Sequence, residues 1–308
     1  MGRYVARRLL QIIPVFFGAT LIIFSMVFAI PGDPIRGLAG DRPLPPAQAA
    51  EIRDEYNLDD PFFVQYGKYI AGLPTGDFGK SLDTQRPVTE IMAERFPVTI
   101  KLALGAFIFE AILGFLAGII SGIRKGSYLD SLVLITTTFV VAIPIFVLGF
   151  ILQYGIGVKT GLLPIAGIQD GLKSYILPSI VLGSISLAYI ARLLRTSLVE
   201  NLSSDYVRTA TAKGLSRARV VGRHTLRNSL IPVVTFLGVD LGALMGGAII
   251  TEGIFNIPGI GGAVFQGARN QDNAMVVGIV TALVLIYMIS NLVVDLLYAY
   301  LDPRIRYE

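Results

Sequence analysis

The 308-residue chain has no cysteine, no tryptophan and a single histidine, His224. Without cysteine there is no disulfide, no thiolate nucleophile and no cysteine-based metal site, although this leaves the compartment open. Without tryptophan, any aromatic belt at a membrane surface falls to Tyr and Phe. A lone histidine with no HExxH context lacks the several ligands a metal site needs, and reads as a helix-surface side chain. Charge is scarce as well, at 16% of residues against about 25% in soluble domains. What is abundant is apolar: 53% of residues, with a mean hydropathy of +0.66. That balance points to a bilayer rather than a water-soluble core. The formal net charge of +4 is too small to argue for nucleic acid.

A spanning helix takes roughly 20 mostly apolar residues. Six runs qualify, at about 9–30, 97–123, 131–157, 175–194, 230–251 and 274–301. Pro14, Pro144 and Pro178 fall inside them, where packed neighbours tolerate proline. "MGRYVARR" before the first run resembles the charged part of a signal peptide. The apolar stretch is longer than the roughly 7–15 residues of a signal core. No small-x-small site closes it, so it is expected to be a retained signal anchor.

Short connections rich in Lys and Arg orient spans. Arg3, Arg7 and Arg8 precede the first run; Arg124 and Lys125 follow the second; Arg192 and Arg195 end the fourth; Arg304 and Arg306 follow the last. With six spans all of these fall on one side, taken as cytosolic. The opposite side receives the segment 31–96, with 11 acidic and 7 basic residues. Its "PAQAAEIRDEYNLDDPFFVQYGKYIAGL" has the period of short amphipathic helices between proline breaks. The expected fold is therefore all-α and integral to the membrane, with six transmembrane helices. Residues 1–30 form a cytosolic tail and the first span, and 31–96 an extracytoplasmic helical cap. Residues 97–301 form a five-helix core with a cytosolic segment at 198–229, and 302–308 a cytosolic tail. Both termini are expected in the cytosol, and the membrane is expected to be the plasma (inner) membrane.

Several motifs look like chemistry. Gly79-Lys80-Ser81 resembles the end of a phosphate-binding loop. That loop needs a glycine five residues earlier and a preceding strand; position 74 is Pro and no strand precedes it. No ATP site is expected on this chain. Glu110, Asp240, Glu252 and Asp295 lie within or at the ends of apolar runs. A carboxylate near a helix centre costs about 2.5–3.5 kcal/mol on insertion scales, so it usually faces protein or water. Glu110, Asp240 and Glu252 are candidates for a translocation pathway. The alternative is a hydrogen bond between helices, or a place nearer the interface; Glu252 marks the outer end of the fifth run. An ion-coupled transporter could use such groups. The GxGD and GxSG signatures of intramembrane proteases are missing, so catalysis is not expected. Gly242 and Gly246 share a helix face and allow close packing. Pro258, Gly259, Gly261 and Gly262 then force a turn.

The segment from Ser203 to Pro232 holds six of the 26 Lys and Arg. Its Ala210, Ala212, Leu215 and Arg217 favour helix, and Gly214 divides it into a helix–turn–helix. Arg219, Arg223 and Arg227 are four apart and form a stripe. Anchoring to anionic lipid explains the arginines. It does not explain small, uncharged Thr209, Ala210, Thr211 and Ala212 followed by a glycine. A short helix of that kind suits a knob entering a groove on another protein.

This segment, "YVRTA" followed by "AKGLS", "RHTLRN" and Pro232, resembles the coupling loop of DppB/OppB-type permeases of peptide ABC importers. The general loop pattern there is E-A-A-x-x-x-G, then I-x-L-P. Aligned on Gly214, Arg208-Thr209-Ala210 stands at E-A-A and His224–Arg227 at I-x-L-P; only Ala210, Gly214 and Leu226 match outright. "IPGDP" at 30–34, "GDFGKSLDTQRPV" at 76–88, "TEGIFNIPGIG" at 251–261 and "LDPRIR" at 301–306 also resemble the family. Positions 110 and 240 depart from it, with acids where an apolar and a neutral polar residue are expected. The resemblance implies a type I importer permease that forms half of a translocation pathway. It implies a second related permease, two ABC ATPases that carry the ATP and Mg, and an extracytoplasmic solute-binding protein. The ATPase-coupling residues it implies are Asp205, Tyr206, Arg208, Thr209, Ala210, Ala212, Lys213, Gly214, Leu215 and Arg217. The implied cargo is a dipeptide or oligopeptide. Relatives in this group also handle nickel chelates, glutathione or haem.

Overall fold

The computed structural model describes residues 2–29, 35 and 45–301. The "IPGDP" stretch, the first part of the segment 31–96 and the tail 302–308 lie outside the described residues. Among those described there is no strand, only an isolated bridge between Lys80 and Pro87. The helices, in order, are α1 (Gly2–Ala29), α2 (Pro46–Glu55), α3 (Phe62–Gly72), α4 (Val88–Ile123), α5 (Tyr128–Ala142) and α6 (Ile145–Leu152). They continue with α7 (Ile176–Leu202), α8 (Asp205–Ala212), α9 (Arg217–Ser229), α10 (Ile231–Ile254), α11 (Ile260–Arg269) and α12 (Asn273–Leu301).

Four segments are long and apolar enough to cross a membrane: Ala6–Val27, Val88–Ile123, Gly171–Leu202 and Asn273–Val294. Two more are bent pairs, giving up to six if each pair is one span. The second run begins earlier than its sequence indicates, because α4 continues from Val88 straight through Pro97. The third run is not one helix. It breaks at Pro144, where α5 and the helix from Ile145 meet at 106°. Pro144 cannot donate, and it holds Ile143 extended (φ −85°, ψ 126°).

The chain forms two compact units. The first contains the chain up to Thr99 and Pro258–Leu292. The proline-bounded helices expected in the cap are present: Pro46 opens α2, and Pro61 precedes α3. α3 lies on α1 through Phe24, Val27, Phe62, Tyr66 and Tyr69, with Val277 of α12 completing the cluster. The Tyr66 hydroxyl meets Thr20 Oγ1 at 2.9 Å. A second cluster packs Val88, Ile91 and Met92 of α4 against Ile260, Met275 and Ile279. Thr99 Oγ1 accepts from the Ile260 N–H at 2.8 Å, serving an N–H that α11 leaves unpaired.

The Gly79-Lys80-Ser81 stretch has a structural role in this unit. Ser81 Oγ donates to Asp272 Oδ2 at 2.6 Å, and the Asp83 N–H reaches the same oxygen at 3.2 Å. The other Asp272 oxygen accepts from the Met275 N–H at 3.1 Å, capping α12. Ser81 and Asp272 are both buried. Nearby, burial pushes the Tyr56 phenol up to about 12, with Glu55 and Asp272 adding to the effect.

The second unit is built on α7. Gly114, Gly118 and Gly122 of α4 lie against Ile190, Leu194 and Leu198 of α7, so the four-residue rhythm of one helix matches that of the other. Val233 and Leu237 of α10 close the same core. Apolar side chains on the outer faces stay exposed, Phe139, Phe146 and Phe150 among them, as befits helices surrounded by lipid or by other apolar chains.

Candidate functional site

α8 starts at Ser204 (φ −72°, ψ 156°) with Asp205 in its first turn, where a carboxylate favours the helix N-terminus. It ends at Gly214, which stands in the left-handed region at φ +80°. There the Leu215 N–H reaches back to the Ala210 carbonyl (3.3 Å) and the Gly214 N–H to that of Thr211 (2.9 Å). This is the Schellman pattern, which ends a helix and reverses the chain. Its hydrophobic contact is present too: Leu215 packs on Val207, Ala210 and Val220. The helix–turn–helix read from the sequence is therefore held by its own small core.

That core sorts the ten coupling residues implied by the resemblance. Ala210 is buried and Leu215 half-buried, so both hold the knob together. Asp205, Tyr206, Arg208, Thr209, Ala212, Lys213, Gly214 and Arg217 are exposed and form its outer surface. The Tyr206 hydroxyl donates to Asn201 Oδ1 at 2.7 Å, tying the knob to the end of α7. Beyond the turn, Val220–Thr225 is a wide π turn, not the regular α-helix expected there. Thr225 donates to the Val220 carbonyl five residues back (3.2 Å), and Ser229 donates to the Ser197 carbonyl of α7 at 3.3 Å. Arg219, Arg223 and Arg227 remain exposed, so the stripe persists. His224 is half-buried. Among the described residues no group of three or more His, Cys, Asp or Glu could hold a metal ion.

The buried carboxylates stand apart from this knob. Glu110 on α4 has no exposed surface, and neither of its oxygens meets a hydrogen-bond partner among the described residues. Asp240 on α10 acts on it electrostatically. Asp240 is half-buried, and its Oδ1 accepts from Ser186 of α7 at 2.9 Å. Glu110 and Asp240 thus belong to one polar cluster at a three-helix contact. Glu252, fully buried near the end of α10, lies in electrostatic range of Tyr175. Asp240 alone of the three reaches the surface of the chain.

Sequence reading missed a second charged centre. Asp130, in the first turn of α5, is 3% exposed. Its Oδ1 accepts from Ser121 Oγ (2.5 Å) and Arg195 Nε (2.6 Å). Its Oδ2 accepts from the Gly126 N–H (2.8 Å) and Arg195 Nη2 (2.8 Å). This forked, fully hydrogen-bonded pair joins α4, α5 and α7. Arg195 is an internal ligand here, whereas its place in the sequence marks it only as an orienting cation.

The comparisons agree with this architecture. Residues 114–307 match the family described as "Binding-protein-dependent transport system inner membrane component", and residues 1–103 match its N-terminal counterpart. The chain belongs to this family. It is an ABC importer permease of the DppB/OppB type, a multi-pass membrane protein. Over its whole length, and the whole length of each relative, the permease is 38% identical to the dipeptide transport system permease protein DppB of Alkalihalophilus pseudofirmus. It is 38% identical to the di/tripeptide transport system permease protein DppB of Pseudomonas aeruginosa. It is 40% identical to the glutathione transport system permease protein GsiC of Escherichia coli K12. A solved structure of the MetNI methionine ABC transporter in inward-facing conformations shares its fold, with a TM-score of 0.51 at 16% identity. That match covers 67% of this chain and 95% of the other.

Proposed function

We propose that the permease forms half of the pathway of a peptide importer and couples it to an ATPase through the knob at Asp205–Arg217. One observation carries the coupling: an exposed, self-packed helical turn that hydrogen-bonds back to α7. A lipid anchor needs cations but no internal core. A lever between two proteins needs rigidity, and the Schellman turn supplies it. The relatives are named for dipeptides, di/tripeptides and glutathione, which supports a short peptide as cargo. In this reading a second related permease completes the pathway, and two ABC ATPases bind ATP and Mg on the cytosolic side. A solute-binding protein delivers peptide to the cap around α2 and α3. Both termini then lie in the cytosol. Alternating access follows as the spans rock against one another. Family membership sets aside a self-contained ion-coupled transporter.

The test is the turn. No neighbour lies within 4 Å of a Cβ placed at Gly214, so a substitution there is penalised by backbone conformation alone. Gly214→Val is expected to strain the turn by about 1–2 kcal/mol, leave the protein inserted, and uncouple peptide uptake from ATP hydrolysis. Gly214→Asn, whose side chain tolerates this conformation, is expected to keep coupling. Normal uptake by the valine variant in the assembled transporter would sink the coupling role.

The buried acids give a second expectation. An enclosed carboxyl with no partner is costly, so Glu110→Gln is expected to leave thermal stability equal or higher. If the cluster with Asp240 serves the pathway, both Glu110→Gln and Asp240→Asn also change peptide uptake or its pH dependence. Unchanged uptake in both variants assigns the acids to helix packing.

A further inference from the structure

The knob does not use the arginine stripe that follows it. Arg219, Arg223 and Arg227 are exposed on α9, and among the described residues no ion pair holds any of them. From Tyr206 to Val239 the sequence has six Lys and Arg and no Asp or Glu. The anions that these guanidinium groups face are therefore not supplied by their own stretch of chain.

What comes next along the helix places the stripe. Leu226, Leu230 and Val233 pack on Ile190, Leu194 and Leu198 of α7. Arg227, Ile231 and Val234 are spaced by four and three residues, so they share another face. On it Ile231 is 58% exposed and Val234 50%. The face passes from guanidinium to bare hydrocarbon within one turn, about 6 Å along the axis. α9 departs from the line of α10 by 43°. With α10 upright, the eight-residue step from Arg219 to Arg227 then drops about 9 Å along the membrane normal. A bilayer has about 30 Å of hydrocarbon within roughly 40–45 Å overall, which leaves about 5–8 Å of headgroup on each side. The three arginines span such a layer, and Ile231 begins the hydrocarbon beneath it.

We propose that this face binds anionic phospholipid, with Arg219, Arg223 and Arg227 on headgroup phosphates and with Ile231 and Val234 against the acyl chains. A leaflet is anionic and then apolar over one helical turn, in the order this face requires. A cytosolic groove that took the arginines stops at the membrane surface and leaves Ile231 and Val234 uncovered. A neighbouring span that covered the apolar pair would need carboxylates level with Arg227. Guanidinium forks onto phosphate oxygens. A choline or ethanolamine headgroup brings a cation of its own, and no acid in this stretch receives it, so the lipid is net anionic. Lipid binding here is independent of what the knob couples to. It fastens the helix on which the knob is carried.

The cysteine-free chain allows a single dye to be placed beside the stripe. Ile231→Cys is labelled with a neutral fluorophore and studied in vesicles, alone and assembled with a second permease and ATPases. The vesicles hold equal amounts of phosphatidylglycerol and phosphatidylcholine throughout, and an acyl-chain nitroxide, which quenches on contact, is carried by one lipid or the other. Quenching by labelled phosphatidylglycerol is expected to be at least about twofold stronger than by labelled phosphatidylcholine, because nearby cations attract anionic lipid. High salt is expected to reduce this preference. Arg219→Gln, Arg223→Gln and Arg227→Gln together are expected to abolish it, and lysine at the same three positions to keep it. Arg208→Gln, Lys213→Gln and Arg217→Gln remove as much charge from the knob and are expected to leave the preference in place. Equal quenching by the two lipids in the parent chain overturns the proposal, and so does quenching by neither, since protein then covers the face. A preference indifferent to salt overturns it without any variant. A preference that survives the stripe variant, or that the knob variant removes as fully, also overturns it. If the preference vanishes when the ATPases bind, the stripe belongs to the ATPase contact and the proposal fails.

Discussion

Asp130→Ala is expected to lower the stability of the solubilised permease by about 3–5 kcal/mol, the range for breaking a buried ion pair by removing one partner. The reason is the charge left behind. Arg195 is only 20% exposed at its side chain, and its guanidinium spends two donors on Asp130. Without the carboxylate those donors remain enclosed between α4, α5 and α7 with nothing to accept them. Ser121 and the Gly126 N–H lose their acceptor as well. Asp130→Asn keeps the shape but replaces one acceptor with a donor facing Arg195, and is expected to fall nearly as far. Replacing both partners with apolar residues of similar volume, Asp130→Leu with Arg195→Met, is expected to recover most of the loss, because no charge is then stranded. Thermal unfolding in detergent of the parent, each single variant and the double variant checks this. A double variant no better than Asp130→Ala would mean that the hydrogen bonds, not the stranded charge, carry the effect.

The second large effect is steric. A Cβ at Gly118 would lie 2.8 Å from Leu194 Cβ and 2.9 Å from the Ala191 carbonyl oxygen, and one at Gly183 would lie 2.7 Å from the Ala106 carbonyl oxygen. Main-chain atoms cannot swing away, so α4 and α7 must move apart. Gly118→Ala and Gly183→Ala are each expected to cost about 1–3 kcal/mol, the usual range for overpacking, and Gly118→Leu more. Gly246→Ala is the internal control: nothing lies within 4 Å of its added methyl, and isolated-chain stability should be equal or higher, because alanine is the better helix former. If Gly118→Ala and Gly246→Ala melt together, the α4–α7 contact is looser than described.

Periodicity carried much of the fold. The apolar runs read at about 9–30, 175–194 and 274–301 match α1 (to its end at Ala29), α7 (from Ile176) and α12, because roughly 20 apolar residues have one economical arrangement in a bilayer. The proline-bounded cap helices were legible for a similar local reason. Pro144 misled: its tolerance in spans hid a 106° break, since composition does not say whether a neighbour will straighten a helix around a proline. The π turn at Val220–Thr225 has no local signature; in it the Thr225 hydroxyl reaches back five residues to the Val220 carbonyl, and the Ser229 hydroxyl four residues to that of Thr225. At the knob, Gly214 could be placed from sequence, but not Ala210's burial beneath it. Asp130 and Arg195 are 65 positions apart, and no short pattern links them. The same holds for Ser186 and Asp240, at 54.

The bond between Ser81 and Asp272 has a consequence in time. Its partners are separated by 191 residues, and chains are made at about 5–20 residues per second. A nascent chain therefore waits roughly 10–40 s between making the serine and making the aspartate that receives its hydroxyl. Throughout that interval the segment that carries Ser81 is made but not fastened. A protease or chaperone that meets the segment would find it open in a half-made permease, and a ribosome stalled before codon 272 would leave one behind.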